Sequence, residues 1–114
     1  MPTLSKSEWE LMLMCWKLGE PTAREVHSAS LARRPRDYRT VLATLNNIAA
    51  KGFLAVEKHP GPRNIPTNRY RPTVRRRRAL EDRIRAFLED EMQADPEAMD
   101  LARRLLDELA VGAA

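Results

Sequence analysis

Apolar side chains recur at intervals of three and four residues along the first fifty positions of the chain, and then the interval changes. Trp9, Met12, Leu13 and Trp16 stand at helical spacing. Ser5 precedes them, with Glu8 three residues later. That pair predicts a capping box, in which the serine hydroxyl and the glutamate carboxylate satisfy each other's backbone N–H groups. Gly19 marks the stop. The same start signal returns at Thr22 and Glu25, behind Pro21, and opens a second helix that places Val26 and Leu31 inward and ends near Arg33. A basic turn follows, Arg33 to Arg36, broken by Pro35. Asp37 is then the expected cap of a third helix with Val41, Leu45 and Ile48 inward, Leu42 and Ala49 beside them, and Lys51-Gly52 closing it.

Beyond Gly52 the pattern becomes that of short strands. Phe53 to His59 reads as one strand, with Leu54 and Val56 on a shared face. Residues 59–68 are dense in Pro, Gly and Asn, as a loop is. Arg69 to Pro72 reads as a second strand that stops at Pro72, because proline has no N–H to donate. Tyr70 is placed to pack across this β-hairpin. From Thr73 a longer helix is predicted, striped by Leu80, Ile84, Phe87 and Leu88 and extended by Met92. Ala94-Asp95-Pro96 interrupts it, Asp95 as N-cap and Pro96 as first helical residue. A last helix carries Met99, Ala102, Leu105, Leu106 and Leu109 on one face, and residues 111–114 are expected to fray. Three helices followed by a hairpin is the order of a winged helix. The expected fold is therefore mainly α with a small β-hairpin: a winged helix-turn-helix domain over residues 1–72, then a C-terminal helical dimerisation segment over residues 73–114.

Composition sharpens this in one respect. The net charge of +4 conceals a strong division. Residues 1–79 hold 16 Lys and Arg against 6 Asp and Glu, whereas residues 80–114 hold 4 against 10. A front carrying +10 and a rear carrying −6 point to a polyanionic partner for the front alone. The hydrophobic fraction of 43% suffices for a core, and aromatics at 5% leave that core to Leu, Ile, Val, Met and Ala. The single cysteine, Cys15, permits no intrachain disulfide and reads as a small buried side chain. No apolar run reaches the ~20 residues of a membrane span, and no signal peptide opens the chain, so a cytoplasmic protein with no membrane partner is expected. No nucleophile–base set, phosphate-cradling glycine loop or carboxylate pair stands out, so no enzyme activity is expected. His27 and His59 have no Cys or His at ligand spacing. Neither a metal nor a cofactor is expected.

The third helix carries the clearest functional signal. With Val41, Leu45 and Ile48 inward, Arg39, Thr40, Ala43, Asn46, Asn47 and Ala50 point outward. Arg and Asn can pair bidentately with guanine and adenine, and the small Ala43 lets a helix approach the bases. By itself such a face could be an ordinary solvated one; the helix before it and the hairpin after it favour double-stranded DNA. Arg36 and Tyr38, at the entry to this helix, complete its candidate DNA-binding set. In the hairpin, Lys58, Arg63, Asn64 and Arg69 are candidates to neutralise phosphates, on a loop stiffened by Pro60, Pro62 and Pro66. Arg75 to Arg78 are either further DNA contacts or partners for acidic residues such as Glu89 to Glu91 of a second chain, since cations at a helix start are otherwise unfavourable. The apolar stripes of the rear, Leu80, Ile84, Phe87 and Leu88 with Leu105, Leu106 and Leu109, would stay exposed in a monomer and are the candidate dimerisation residues.

Several linked motifs resemble the penicillinase-repressor family, which includes the BlaI, MecI and CopY repressors. They are Glu8-Trp9-Glu10-Leu11-Met12 in the first helix, Pro21 to Val26 at the start of the second, Tyr38-Arg-Thr-Val-Leu-Ala-Thr-Leu45 in the third, Lys51-Gly-Phe-Leu54 at the exit into the hairpin, and Tyr70-Arg-Pro72 at its end. The resemblance spans roughly residues 4–72. It implies a homodimeric repressor of transcription on a palindromic operator, relieved by an inducer such as a sensor protease. It also implies recognition residues at Tyr38, Arg39, Thr40, Ala43 and Asn47. Ala43 stands where the family usually has Thr, and Asn47 where it usually has a basic residue. The Asn-Phe cleavage segment and the C-x-C metal-binding tail of some members have no counterpart here. The competing reading is a winged-helix protein-interaction module that does not read DNA, but a basic front is not what such a module needs.

Overall fold

The computed structural model describes residues 3–113, which fall into two compact units divided after Arg76. The first unit is a winged helix-turn-helix. Helix α1 spans Lys6–Leu18, α2 spans Ala23–Ser30 and α3 spans Tyr38–Ala50. Both expected capping boxes are present, with Ser5 Oγ accepting from the Glu8 N–H and Thr22 Oγ1 from the Glu25 N–H. Each glutamate accepts the N–H of its cap in return, at 2.7 and 2.8 Å. Asp37 departs from expectation. It occupies the N-cap position of α3, but its side chain accepts no helix N–H.

Strand β1, Leu54–Pro60, pairs antiparallel with β2, Pro66–Pro72, from Leu54 opposite Pro72 to Pro60 opposite Pro66. Strand β1 is shifted by one residue from its expected span and β2 begins three residues earlier than expected, so only Gly61 to Ile65 form the connecting tip. Pro60 and Pro66 face each other at the last pair, where a missing N–H costs the ladder least. Gly61 is required there, because a Cβ would meet Thr67 Oγ1 at 2.2 Å and the Ile65 carbonyl at 2.4 Å. The hairpin is fastened to the helices. The Tyr70 N–H donates to the Pro21 carbonyl at 2.8 Å, and Thr22 bridges to Arg69.

The core lies between α1, α2, α3 and the hairpin. Val26, Val41, Leu45 and Ile48 are fully buried, as expected, together with Leu11, Met12, Cys15 and Tyr70. The inward face of α1 differs in part from the expected one. Leu11, Met14 and Cys15 turn in with Met12, while Trp9 and Trp16 form a half-buried edge-to-face pair with centroids 5.6 Å apart. Trp16 Nε1 donates to the Val74 carbonyl, so one indole edge is committed to holding the chain after β2. Leu31, expected inward, is exposed, because α2 stops at Ser30. Ser30 takes the inward position instead and donates its hydroxyl to the His27 carbonyl.

Residues 73 and 74 stay with the first unit. The Thr73 N–H and hydroxyl donate to the Phe53 and Gly52 carbonyls. The next helix, α4, therefore opens at Arg76, later than its sequence suggests, and spans Arg76–Ala86. It widens into a single π-turn over Phe87–Glu91. Helix α5 spans Pro96–Ala113, with Asp95 Oδ1 accepting the N–H groups of Glu97 and Ala98. The expected loose tail is helical as far as the described residues reach. Ile84, Phe87, Leu105, Leu106 and Leu109 are all exposed. No helix among the described residues is long and apolar enough to cross a membrane.

Candidate nucleic-acid interface

Helix α3 presents its two faces as the spacing demands. Arg39, Thr40, Ala43, Asn46, Asn47 and Ala50 are exposed, opposite the buried Val41, Leu45 and Ile48. Arg39 makes no ion pair among the described residues. Thr44 donates its hydroxyl to the Thr40 carbonyl at 2.8 Å and stays against its own helix. The N-terminus of α3 is left without a side-chain cap, so no Asp37 carboxylate takes up its first-turn N–H groups. That is the arrangement in which a helix start accepts a phosphate.

Four candidates have tasks inside the protein. Arg36 is the sharpest correction. Its side chain is 8% exposed and forms an ion pair with Glu10, which Arg34 also reaches at 2.9 Å. Its Nη1 is buried without a hydrogen-bond partner. Arg36 thus holds the turn between α2 and α3 onto α1 and has no guanidinium to offer DNA. Arg69 is similarly tied, donating to the Glu20 carbonyl at 2.8 Å and to Glu25 Oε1 at 3.3 Å. Asn46 is exposed, but its Oδ1 accepts the buried Tyr70 hydroxyl at 2.9 Å, which links the hairpin to the outward face of α3. Tyr38 is half-buried. Its ring meets His27 edge-on with centroids 5.9 Å apart and carries the Arg24 guanidinium 4.9 Å above it. His27 in turn donates from Nε2 to the Arg36 carbonyl at 2.8 Å. These contacts lock the angle between α2 and α3.

Arg24 was not legible as part of this surface. It lies on α2 and is exposed, and the cation–π contact brings it to the entry of α3. Only the fold places it there. On the hairpin, Lys58 and Arg63 are exposed and without ion pairs among the described residues. Arg63 and Asn64 adopt left-handed backbone conformations, φ 57° and 61°, in the tight turn of the tip. A non-glycine residue pays of order 1 kcal/mol for that conformation, so Arg63 is held at the tip at some cost to stability.

The electrostatics follow from these pairings. Burial alone would raise the Glu8 carboxyl, but hydrogen bonds from Lys51 Nζ at 2.6 Å and from the Ser5 N–H outweigh it and the pKa is lowered. The Thr22 N–H lowers Glu25 against a smaller burial effect, with help from the Thr22 hydroxyl and Arg69. Burial raises Tyr70, with Tyr38 and Cys15 adding to it. Burial pushes the Cys15 thiol up to about 12. The fold also gathers Glu20, Glu57 and His59 near the hairpin, which the spacing of histidines did not show. Glu57 there accepts from Arg71 Nε at 3.0 Å and lies 3.6 Å from His59 Nε2. Arg71 thus already gives Glu57 the positive charge that a metal ion would bring.

A family model described as Penicillinase repressor matches residues 4–110. A curated relative from Latilactobacillus sakei, described as an uncharacterized 16.5 kDa protein in the ptsI 3′ region, is 28% identical over 86 residues, or 75% of this chain and 56% of that protein. The chain thus spans about half the length of the curated relative it matches. A crystal structure from Thermoplasma acidophilum, "putative transcriptional regulator TA0346", is similar with a TM-score of 0.48 and 18% identity, over 92% of this chain and 94% of that one.

Proposed function

From a chain that belongs to the penicillinase repressor family, and is therefore a DNA-binding transcriptional repressor and not an enzyme, we propose a homodimer that silences its target genes by binding a palindromic operator. The observation that carries this reading is the exposed row Arg39, Thr40, Ala43 and Asn47 on α3, backed by a fully buried opposite face. Each protomer lays this row in a major groove, with the start of α3 against a phosphate. Arg39 grips the backbone or a guanine edge, Asn47 pairs with a base, and Ala43 lets the helix come close. The hairpin tip, with Lys58 and Arg63, lies along the neighbouring backbone or minor groove. Arg36, Arg69 and Tyr38 act one step back, by fixing the helix and the hairpin that carry the contacts.

Dimerisation rests on the second unit. Its exposed Ile84, Phe87, Leu105, Leu106 and Leu109 form apolar stripes that a single chain leaves in water. Two half-sites spaced by one helical turn, or a multiple of it, follow from a two-fold protein. Such a repressor works beside the chromosome, in the cytoplasm. A gel-shift titration of the full chain on the DNA flanking its own gene tests the operator. A discrete retarded band that resists competitor DNA is expected, and no band at low salt sinks the reading. Sedimentation tests the dimer. The wild type should sediment as two chains and Leu106→Asp as one.

A further inference from the structure

Helix α4 carries its charge in two blocks that a second copy can match. Arg75 to Arg78 lie at its start, and Glu89, Asp90 and Glu91 lie in the π-turn that ends it. Between them runs the apolar stripe of Leu80, Ile84 and Phe87, of which Ile84 is 58% and Phe87 50% exposed. Arg77 and Glu91 lie seven residues before and after Ile84, and so at its two ends. At 1.5 Å per residue Arg77 stands about 10 Å from Ile84 along the axis, and Glu91 stands somewhat nearer, because the π-turn over Phe87–Glu91 is wider and shorter. Arg77 is 92% exposed, and its contact with Glu81 is loose at 3.6 Å. Glu91 has no ion pair among the described residues.

Resting on the dimer reading above, we propose that a second copy docks antiparallel along α4, with the two-fold axis at Ile84. Arg77 of each chain then pairs with Glu91 of the partner subunit. The two-fold makes the surface self-complementary, because whatever lies a given distance before the axis meets whatever lies that distance after it. Ile84 packs on its own copy, and the flanking Leu80 and Phe87 exclude water around it. A parallel pairing would set four arginines against four arginines, and three acids against three acids. Charge repulsion removes that alternative, so the two blocks select orientation while the apolar stripe supplies adhesion.

Charge reversal in the full chain tests this, with dimerisation read by sedimentation equilibrium and helicity by circular dichroism. Both positions are exposed, so Arg77→Glu and Glu91→Arg are expected to keep wild-type helicity. Each variant alone sets like charges together at both ends of the seam and should weaken dimerisation by about tenfold or more. An equimolar mixture restores both pairs in a heterodimer and should return to within about threefold of the wild type. Two variants that dimerise like a dimeric wild type would overturn the antiparallel register and leave the dimer standing. Weakened variants whose mixture is not rescued would overturn the Arg77–Glu91 pairing. A monomeric wild type would remove the dimer reading and this inference together.

Discussion

Arg36 and Arg39 lie three residues apart and look interchangeable as DNA contacts, yet the structure buries one in an ion pair and leaves the other exposed, and paired alanine variants separate them. Arg39 is exposed and makes no ion pair among the described residues. Arg39→Ala should therefore leave stability within about 0.5 kcal/mol. Its effect falls on binding. Each neutralised phosphate contributes about 0.9 to the slope of log affinity against log salt, so a dimer losing two contacts loses about 1.8. Between 50 and 200 mM salt that is roughly a twelvefold difference in how far affinity falls. Arg36→Ala does the reverse. It removes an almost wholly buried guanidinium from Glu10, which keeps Arg34 at 2.9 Å as a second partner. Breaking a buried pair costs about 3–5 kcal/mol when the remaining charge is abandoned. Here Arg34 stays and Arg36 Nη1 was itself unpartnered, so about 2 kcal/mol is expected, or roughly 10 °C in Tm for a unit of this size. Fluorescence anisotropy across a salt series and thermal melts of both variants measure these effects. A salt slope that falls as much for Arg36→Ala as for Arg39→Ala, with stability unchanged, would refute the assignment.

Tyr70→Phe and Asn46→Ala, combined in a double-mutant cycle by urea denaturation, should show a coupling of about 1 kcal/mol, since their hydrogen bond joins hairpin to helix. Additive effects would mean that the link carries no energy. The Glu8 and Glu25 carboxyls are held below their ordinary value of 4.5 in the folded protein. The stability they add is complete above the unfolded pKa and is lost as pH falls through the lowered folded one. Glu8→Gln should accordingly lose less stability than the wild type between about pH 5 and pH 3, and parallel curves would contradict the lowered value. The Cys15 thiol, fully buried and pushed up to about 12, should stay unreactive toward a thiol reagent near neutral pH and react fully in denaturant.

Much of the first unit was legible because its signals are local. Ser5 with Glu8 and Thr22 with Glu25 announce their helices in four residues each, and Val41, Leu45 and Ile48 orient α3 by spacing alone. What escaped the sequence depends on contacts between distant segments. Nothing near Arg36 announces Glu10, and nothing near Arg69 announces Glu25. The two arginines were grouped with DNA contacts because exposure was inferred from residue type. Asp37 was expected to cap α3 on residue preference, and no feature of the described structure explains why its side chain does not. Leu31 was misplaced by extending α2 one turn too far. The helix in fact ends where the Ser30 hydroxyl can bond the chain behind it.

The pairings also change what the basic front means. Net charge by itself cannot locate a DNA footprint, because a cation held by a carboxylate is already neutralised. In the first unit Glu8 takes Lys51, Glu10 takes Arg34 and Arg36, Glu25 takes Arg69, and Glu57 takes Arg71. Most of the acids there are thus occupied in fastening one element to another, and the same pairs remove arginines from the surface available to a polyanion. At the candidate interface, Arg39 and Arg24 at the start of α3 and Lys58 with Arg63 on the hairpin have no ion pair among the described residues. The two elements that a winged helix brings to DNA thus each carry positive charge that no carboxylate among the described residues neutralises. A few such contacts per protomer make a modest electrostatic grip, which the proposed homodimer would double by setting two protomers on one operator. That proposal couples recognition to the acidic second unit, and on it weakening the proposed seam along α4 should lower operator affinity with every residue of α3 intact.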